Sequence, residues 1–123
     1  MLKKILVVDD DSYVVKYLVS LFNDNGYETR SAGDGLEAFE MLRQDKPDLI
    51  TLDLDMSREW GPKFCRRLTK EDEFKDIPII VISGLPGAHL AIQKATAFLS
   101  KPFEAAELLN IVRRNIGGQD GPA

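Results

Sequence analysis

Four stretches of the chain run apolar and then stop at a side chain with chemistry to offer. Ile5-Leu6-Val7-Val8 ends at Asp9-Asp10, and Leu49-Ile50-Thr51-Leu52 ends at Asp53. Ile79-Ile80-Val81-Ile82 ends at Ser83, and Ala97-Phe98-Leu99-Ser100 ends at Lys101-Pro102. A fifth stretch, Tyr27 to Ser31, alternates and carries Tyr and Thr, as an edge strand does. Between these runs the spacing becomes helical. Val14, Val15, Leu18, Leu21 and Phe22 recur at three and four residues, with Asp11 or Ser12 as N-cap and Asn25-Gly26 as the stop. Asp34-Gly35 opens a second helix predicted to turn Leu36, Ala38, Phe39 and Leu42 inward, and Lys46-Pro47-Asp48 breaks it. A polar loop from Asp55 to Gly61 leads into a third helix bearing Phe64 and Leu68. Gly84-Leu85-Pro86-Gly87 reads as loop, which leaves room only for a short helix from Ala88 to Lys94. A last amphipathic helix runs from Glu104 to Ile116 through Leu108, Ile111 and Val112.

Short apolar runs separated by helical patterns predict a doubly wound α/β fold with five parallel strands. The carboxyl ends of parallel strands share one edge. Asp9, Asp10, Asp53, Ser83 and Lys101 should therefore converge although they lie far apart in sequence.

Composition adds bounds. At 123 residues, with 44% apolar and 29% charged residues, the chain suits one ordered domain. A net charge of -4 with scattered basic residues argues against direct nucleic-acid binding. The single cysteine, Cys65, cannot close an internal disulfide and reads as helix packing in a reducing compartment. Met1-Leu2-Lys3-Lys4 leads straight into a strand, and no apolar run is long enough to cross a bilayer, so a cytoplasmic domain without membrane contact is expected. Residues 117–123 read as a flexible tail or linker start, which leaves 1–116 as the domain. His89, the one histidine, reads as a solvated side chain.

The converging groups set their own electrostatic problem. Two unit charges in contact repel by about 4 kcal/mol at an effective dielectric of 20. Asp9, Asp10 and Asp53 therefore call for a cation. Mg²⁺ is apt, because it takes one or two carboxylates, keeps waters and binds phosphate oxygens. No His or Cys accompanies the acids, which argues against zinc. A hydroxyl and an ammonium beside them suit a phosphoryl group.

Val7-Val8-Asp9-Asp10-Asp11, Pro47 through Asp53, Pro78 through Ser83 and Leu99-Ser100-Lys101-Pro102-Phe103 are the pieces through which the chain resembles a known family. That family is the receiver domain of bacterial two-component response regulators, and the resemblance runs to about Ile116. It implies a flavodoxin-like strand order of 2-1-3-4-5. It implies Asp53 as phosphoryl acceptor, supplied by phosphohistidine on a sensor histidine kinase or histidine phosphotransfer protein. Mg²⁺ would be held by Asp10, by Asp9 directly or through water, by Asp53 and by the backbone carbonyl of Asp55. Ser83 would bond the new phosphoryl group, and Lys101, joined to Pro102 by a cis bond, would pair with one of its oxygens. Phe98 would be the aromatic switch, moving as Ser83 moves. The implied function is a switch controlling an output domain or partner protein, with no catalysis beyond its own phosphorylation and dephosphorylation.

Three features depart from the family pattern. Met56-Ser57 and Trp60-Gly61 stand where a Met-Pro pair and an Asp-Gly are usual, and Trp60 becomes a candidate partner-facing residue. Asp55 adds a carboxylate two residues past the acceptor and is expected to tune the phosphoryl lifetime. The stretch between Ser83 and Phe98 is short by about one helical turn, so a shortened fourth helix and a monomer or atypical dimer are expected. Two other readings stay open. Asp53-Leu54-Asp55 also resembles the nucleophile motif of haloacid-dehalogenase-type phosphatases, although Asp9-Asp10 precede it and the chain is short for that fold with a cap. A degenerate receiver, serving as a phosphorylation-independent interaction module, is the other.

Overall fold

The computed structural model describes residues 2–53, 60–84 and 95–117, with backbone alone for 60–62. Strands β1 (Lys4–Val8), β2 (Glu28–Ala32), β3 (Leu49–Asp53), β4 (Ile79–Ser83) and β5 (Ala97–Ser100) form one sheet in the order β2-β1-β3-β4-β5. Every pairing is parallel. Four helices accompany them among the described residues: α1 (Ser12–Asp24), α2 (Gly35–Gln44), α3 (Trp60–Thr69) and α4 (Ala105–Ile116). The short helix expected from Ala88 to Lys94, the loop with Asp55 and Ser57, and the tail beyond Gly117 lie outside the described residues.

Alternation along each strand sends side chains to two faces, and each face has its own core. Leu6, Val8, Ile50, Leu52, Ile79 and Val81 pack against Ala38, Phe39 and Leu42 of α2 and Phe64, Cys65 and Leu68 of α3. Ile5, Val7, Leu49, Ile80, Ile82 and Leu99 pack against Leu18 and Phe22 of α1 and Leu108, Ile111 and Val112 of α4. Helices on both faces explain why the strands carry apolar runs without polar alternation.

Local chemistry sets the helix ends. The Asp11 carboxylate accepts the Tyr13 N–H at 2.9 Å, which selects Asp11 over Ser12 as the cap of α1. Gly26 follows the C-cap Asn25 with φ of 89°, a conformation that any Cβ would strain. Asp34 caps α2 through the Glu37 N–H at 2.8 Å, while the Glu37 carboxylate accepts the Gly33 N–H. The Tyr27 hydroxyl donates to the Gly117 carbonyl at 2.9 Å, joining the foot of β2 to the end of α4.

Two expectations need correction. Leu36 does not face the core but is 57% exposed. The buried stripe of α2 is Gly35, Ala38, Phe39 and Leu42, spaced three, one and three, and Leu36 stands about 100° off it. The loop after β3 is also shorter than expected, since α3 already begins at Trp60. Pro62 does not delay it, because first-turn N–H groups have no helical partner to lose.

Thr51 sits in the middle of β3, paired across the ladder with Val7 and Ile80. It is fully buried, and its hydroxyl finds no hydrogen-bond partner among the described residues. Removing an orphaned polar atom without changing shape is stabilising. Thr51→Val is expected to stabilise the fold by about 1 kcal/mol and raise the melting temperature by a few degrees in calorimetry. An unchanged or lower melting temperature would show that the hydroxyl has a partner.

Candidate functional site

Register brings the strand ends together. Val8 pairs with Leu52, Asp53 with Ile82, and Ser83 with Ser100. Each chemical side chain therefore lies at the carboxyl end of its strand or within two residues past it. The ladder extends beyond the strands at two points. The Asp9 N–H donates to the Ala32 carbonyl at 3.0 Å, and the Lys101 N–H donates to the Ser83 carbonyl at 2.9 Å. These bonds hold Asp9 and Lys101 in line with the sheet. The Lys101–Pro102 bond is cis, as the resemblance implies.

One carboxylate oxygen from each of Asp9, Asp10 and Asp53 lies within 4.8 Å of the others. Asp9 and Asp53 are buried and Asp10 is exposed. Lys101 reaches in from the far side, with Nζ 3.0 Å from Asp53 Oδ1. The Asp11 N–H donates to Asp9 Oδ1 at 2.9 Å, so the residue that caps α1 also orients the first acid. Ser83 is buried at the end of β4. Phe98 is 36% exposed and pairs with Val81, which places it on the same sheet face as Ser83. All five converging residues are thus at one edge, with Phe98 beside them. The Asp55 carbonyl, the remaining expected ligand, lies outside the described residues.

The donor set is wholly carboxylate oxygen, without thiolate or imidazole among the described residues. A hard divalent cation such as Mg²⁺ fits it, and a soft one does not. Cys65 stands apart in the α3 core, where burial pushes its thiol up to about 12. It is packing and no nucleophile at neutral pH.

Asp9 registers the strain of the cluster. Its carboxyl is pushed up from 3.8 to about 7, first by burial and then by the adjoining Asp53, while the Asp11 N–H and Lys101 pull the other way. A raised folded-state pKa means that the folded protein keeps a proton which the unfolded chain has released. The stabilisation from this group is complete below pH 3.8 and is lost as pH rises through about 7. The metal-free protein is expected to lose on the order of 2 kcal/mol through Asp9 between pH 5 and pH 8. Thermal melts at both pH values, on the native protein and Asp9→Asn, check this. The variant should show the flatter profile, and Mg²⁺ should raise the native melting temperature most at pH 8. Matching profiles for the two proteins would contradict the assignment.

Comparison with known proteins agrees with this geometry. The family model of the response regulator receiver domain matches residues 5–113. Protein Rrf1 of Nitratidesulfovibrio vulgaris is 34% identical over 111 residues, which cover 90% of this chain and 80% of that protein. Response regulator MprA of Mycobacterium leprae is 37% identical over 114 residues, covering 89% of this chain and 49% of the relative. The chain thus spans about half the length of MprA. Among solved structures, the receiver domain of sensor histidine kinase PA1611 from Pseudomonas aeruginosa superposes with a TM-score of 0.85 at 25% identity, covering 94% of this chain and 98% of that one. That structure is described with a magnesium ion coordinated in its active site cleft.

Proposed function

The chain belongs to the response regulator receiver domain family, and from that premise we propose that Asp53 accepts a phosphoryl group while Asp9, Asp10 and Asp53 hold Mg²⁺. The family works in two-component systems and is not a classical enzyme family, which leaves the phosphatase reading without support. The donor would be a phosphohistidine on a sensor histidine kinase or phosphotransfer protein, and the listener an output domain or a partner protein. The observation that carries the reading is the Lys101 ammonium 3.0 Å from the buried Asp53 carboxylate, beside two further acids. We take residues 1–116 as the receiver unit, acting in the cytoplasm. Among the described residues no helix is long and apolar enough to cross a membrane.

The chemistry follows from the positions. An Asp53 oxygen attacks the phosphorus, the P–N bond breaks, and its electron pair returns to the imidazole nitrogen of the donor. Lys101 keeps its proton throughout and neutralises oxygen charge at the acceptor. Ser83 donates its hydroxyl to an oxygen of the new acyl phosphate. When bound, Mg²⁺ supplies charge neutralisation for the phosphoryl oxygens. Asp9 and Asp10 hold it at the sheet edge, and burial of Asp53 keeps competing water away from the attacking oxygen. As Ser83 turns toward the phosphoryl group it vacates space on the face it shares with Phe98. Phe98, half in water, is the side chain able to fill that space. This local bond biases a two-state element, which is what a switch requires.

Beryllofluoride mimics a phosphoryl group on a carboxylate, and Trp60, the single tryptophan, is a built-in fluorophore. A saturable fluorescence response that needs both Mg²⁺ and beryllofluoride is expected. The absence of any response that depends on both would favour the degenerate, phosphorylation-independent module.

A further inference from the structure

Away from the acidic edge, β2 (Glu28–Ala32) is an outermost strand of the sheet, with β1 on one side and no strand on the other among the described residues. The Glu28 N–H donates to the Lys3 carbonyl at 2.9 Å, and the Ala32 carbonyl accepts the Asp9 N–H at 3.0 Å. Peptide groups alternate in direction along a strand, so Glu28, Arg30 and Ala32 bond inward to β1, while Thr29 and Ser31 turn their N–H and C=O groups outward. Among the described residues no hydrogen bond reaches the outward amides of Thr29 and Ser31. A groove of about 580 Å³ opens along this edge, lined by Glu28, Thr29 and Arg30 together with Leu2, Asn23 and Tyr27. The flanking helices therefore leave the foot of β2 open, and an open edge is a template for another strand.

The charges on this edge complement themselves. Glu28 and Arg30 are two residues apart, so they share one face of the sheet, and both are exposed. Glu28 enters no ion pair among the described residues. Arg30 approaches Asp45 only to 3.9 Å, and Lys4 already holds that carboxylate at 2.7 Å. A twofold axis through Thr29 sets two copies of β2 antiparallel, with Thr29 opposite Thr29. Outward groups then meet: the two Thr29 residues exchange both N–H···O bonds, and each Ser31 N–H faces the Tyr27 carbonyl of the other copy. On the shared face, Glu28 of each copy stands directly opposite Arg30 of the other, in the closer, non-hydrogen-bonded positions. Slipping the pairing by two residues either way destroys this match. One neighbouring register sets Glu28 against Glu28, and the other sets Arg30 against Arg30. Charge thus favours one register and rejects the two beside it.

We propose that β2 is a homodimerisation edge, on which a second copy of this chain adds its own β2 antiparallel through Thr29, pairing Glu28 of each copy with Arg30 of the other. The product is one continuous sheet across both copies. A foreign extended peptide would satisfy the outward backbone groups but not the reciprocal charges. Two short strands bury less than the roughly 1,200–2,000 Å² of a stable complex, so the dimer is weak. Its ion pairs are exposed, so salt should weaken it further. The contact runs along the side of the sheet, whereas Asp53 lies at the carboxyl ends of the strands, so dimerisation and phosphoryl acceptance are measured separately.

Sedimentation of the full chain between about 10 µM and 1 mM should show a monomer–dimer equilibrium. Glu28→Arg and Arg30→Glu each set like charges across both contacts and should weaken the dimer at least about tenfold. An equal mixture of the two variants should regain it as a heterodimer, because the reversed charges are then complementary. The double variant Glu28→Arg with Arg30→Glu should dimerise with itself for the same reason. Thr29→Pro removes an outward amide without touching the bonds to β1, and it should abolish the dimer. Arg114→Glu on α4 should change nothing. A circular-dichroism melt checks that each variant folds, and the double variant carries the test should a single reversal not fold. A monomer at every concentration overturns the proposal. So does a dimer that survives Thr29→Pro and both reversals, and so does one lost in the reversals that neither the mixture nor the double variant regains.

Discussion

Asp53→Asn is expected to reduce phosphoryl acceptance from phosphoramidate, a small P–N donor, by at least about a hundredfold, below detection in most assays. The amide keeps the shape of the side chain and its place at the end of β3 but removes the anionic nucleophile. Asp53 is buried at the end of β3 and pairs across the ladder with Ile82, so no other carboxylate can take its position without breaking register. The same change removes one of three converging charges. Mutual repulsion within the cluster then falls, and metal-free Asp53→Asn should melt at or above the native temperature. A variant that is as stable as the native protein yet inert toward the donor separates chemistry from folding. Undiminished labelling would move the acceptor elsewhere.

Lys101→Ala is expected to act in two opposite directions. Its ammonium lies 3.0 Å from Asp53 Oδ1 and, among the described residues, offsets the charge of the cluster. Removing it concentrates negative charge on the same oxygens, so Mg²⁺ should bind several-fold more tightly in calorimetric titration. Phosphoryl transfer should nevertheless slow by roughly 10²–10³-fold, the range found when one preorganised charge-stabilising donor is removed. A lysine that merely braced the β5–α4 turn would lower stability and leave Mg²⁺ affinity unchanged. Tighter metal binding with slower transfer is the signature of a charge aimed at the acceptor.

Much of this arrangement is legible in the amino-acid order because parallel strands obey a simple rule. An apolar run ends where the sheet ends, so the next residue stands at the edge: Asp9 after Val8, Lys101 after Ser100. Strand order came through the family resemblance, since hydrophobic spacing alone says nothing about which strands are neighbours. Leu36 was misplaced because an apolar residue at a helix start looks inward until the stripe through Gly35, Ala38, Phe39 and Leu42 is followed for two turns. Phe74 and Ile77, both buried, belong to a turn without periodicity and carry no signal that spacing can detect. The orphaned hydroxyl of Thr51 is invisible in sequence, where Thr is an ordinary strand residue. The edge-to-face contact between Phe39 and Phe64 is hidden for a different reason: the two are distant in sequence, and only the packing of α2 against α3 brings their rings together in the core.

The most direct measurement concerns the chemical fate of one carboxyl group. After reaction with phosphoramidate and Mg²⁺, borohydride reduces an acyl phosphate to an alcohol, turning a modified aspartate into homoserine that peptide mass spectrometry can locate. Homoserine at position 53, absent when Mg²⁺ is chelated, is the predicted result. Homoserine at position 9 or 10, or equal conversion at position 53 without the metal, would contradict the assignment.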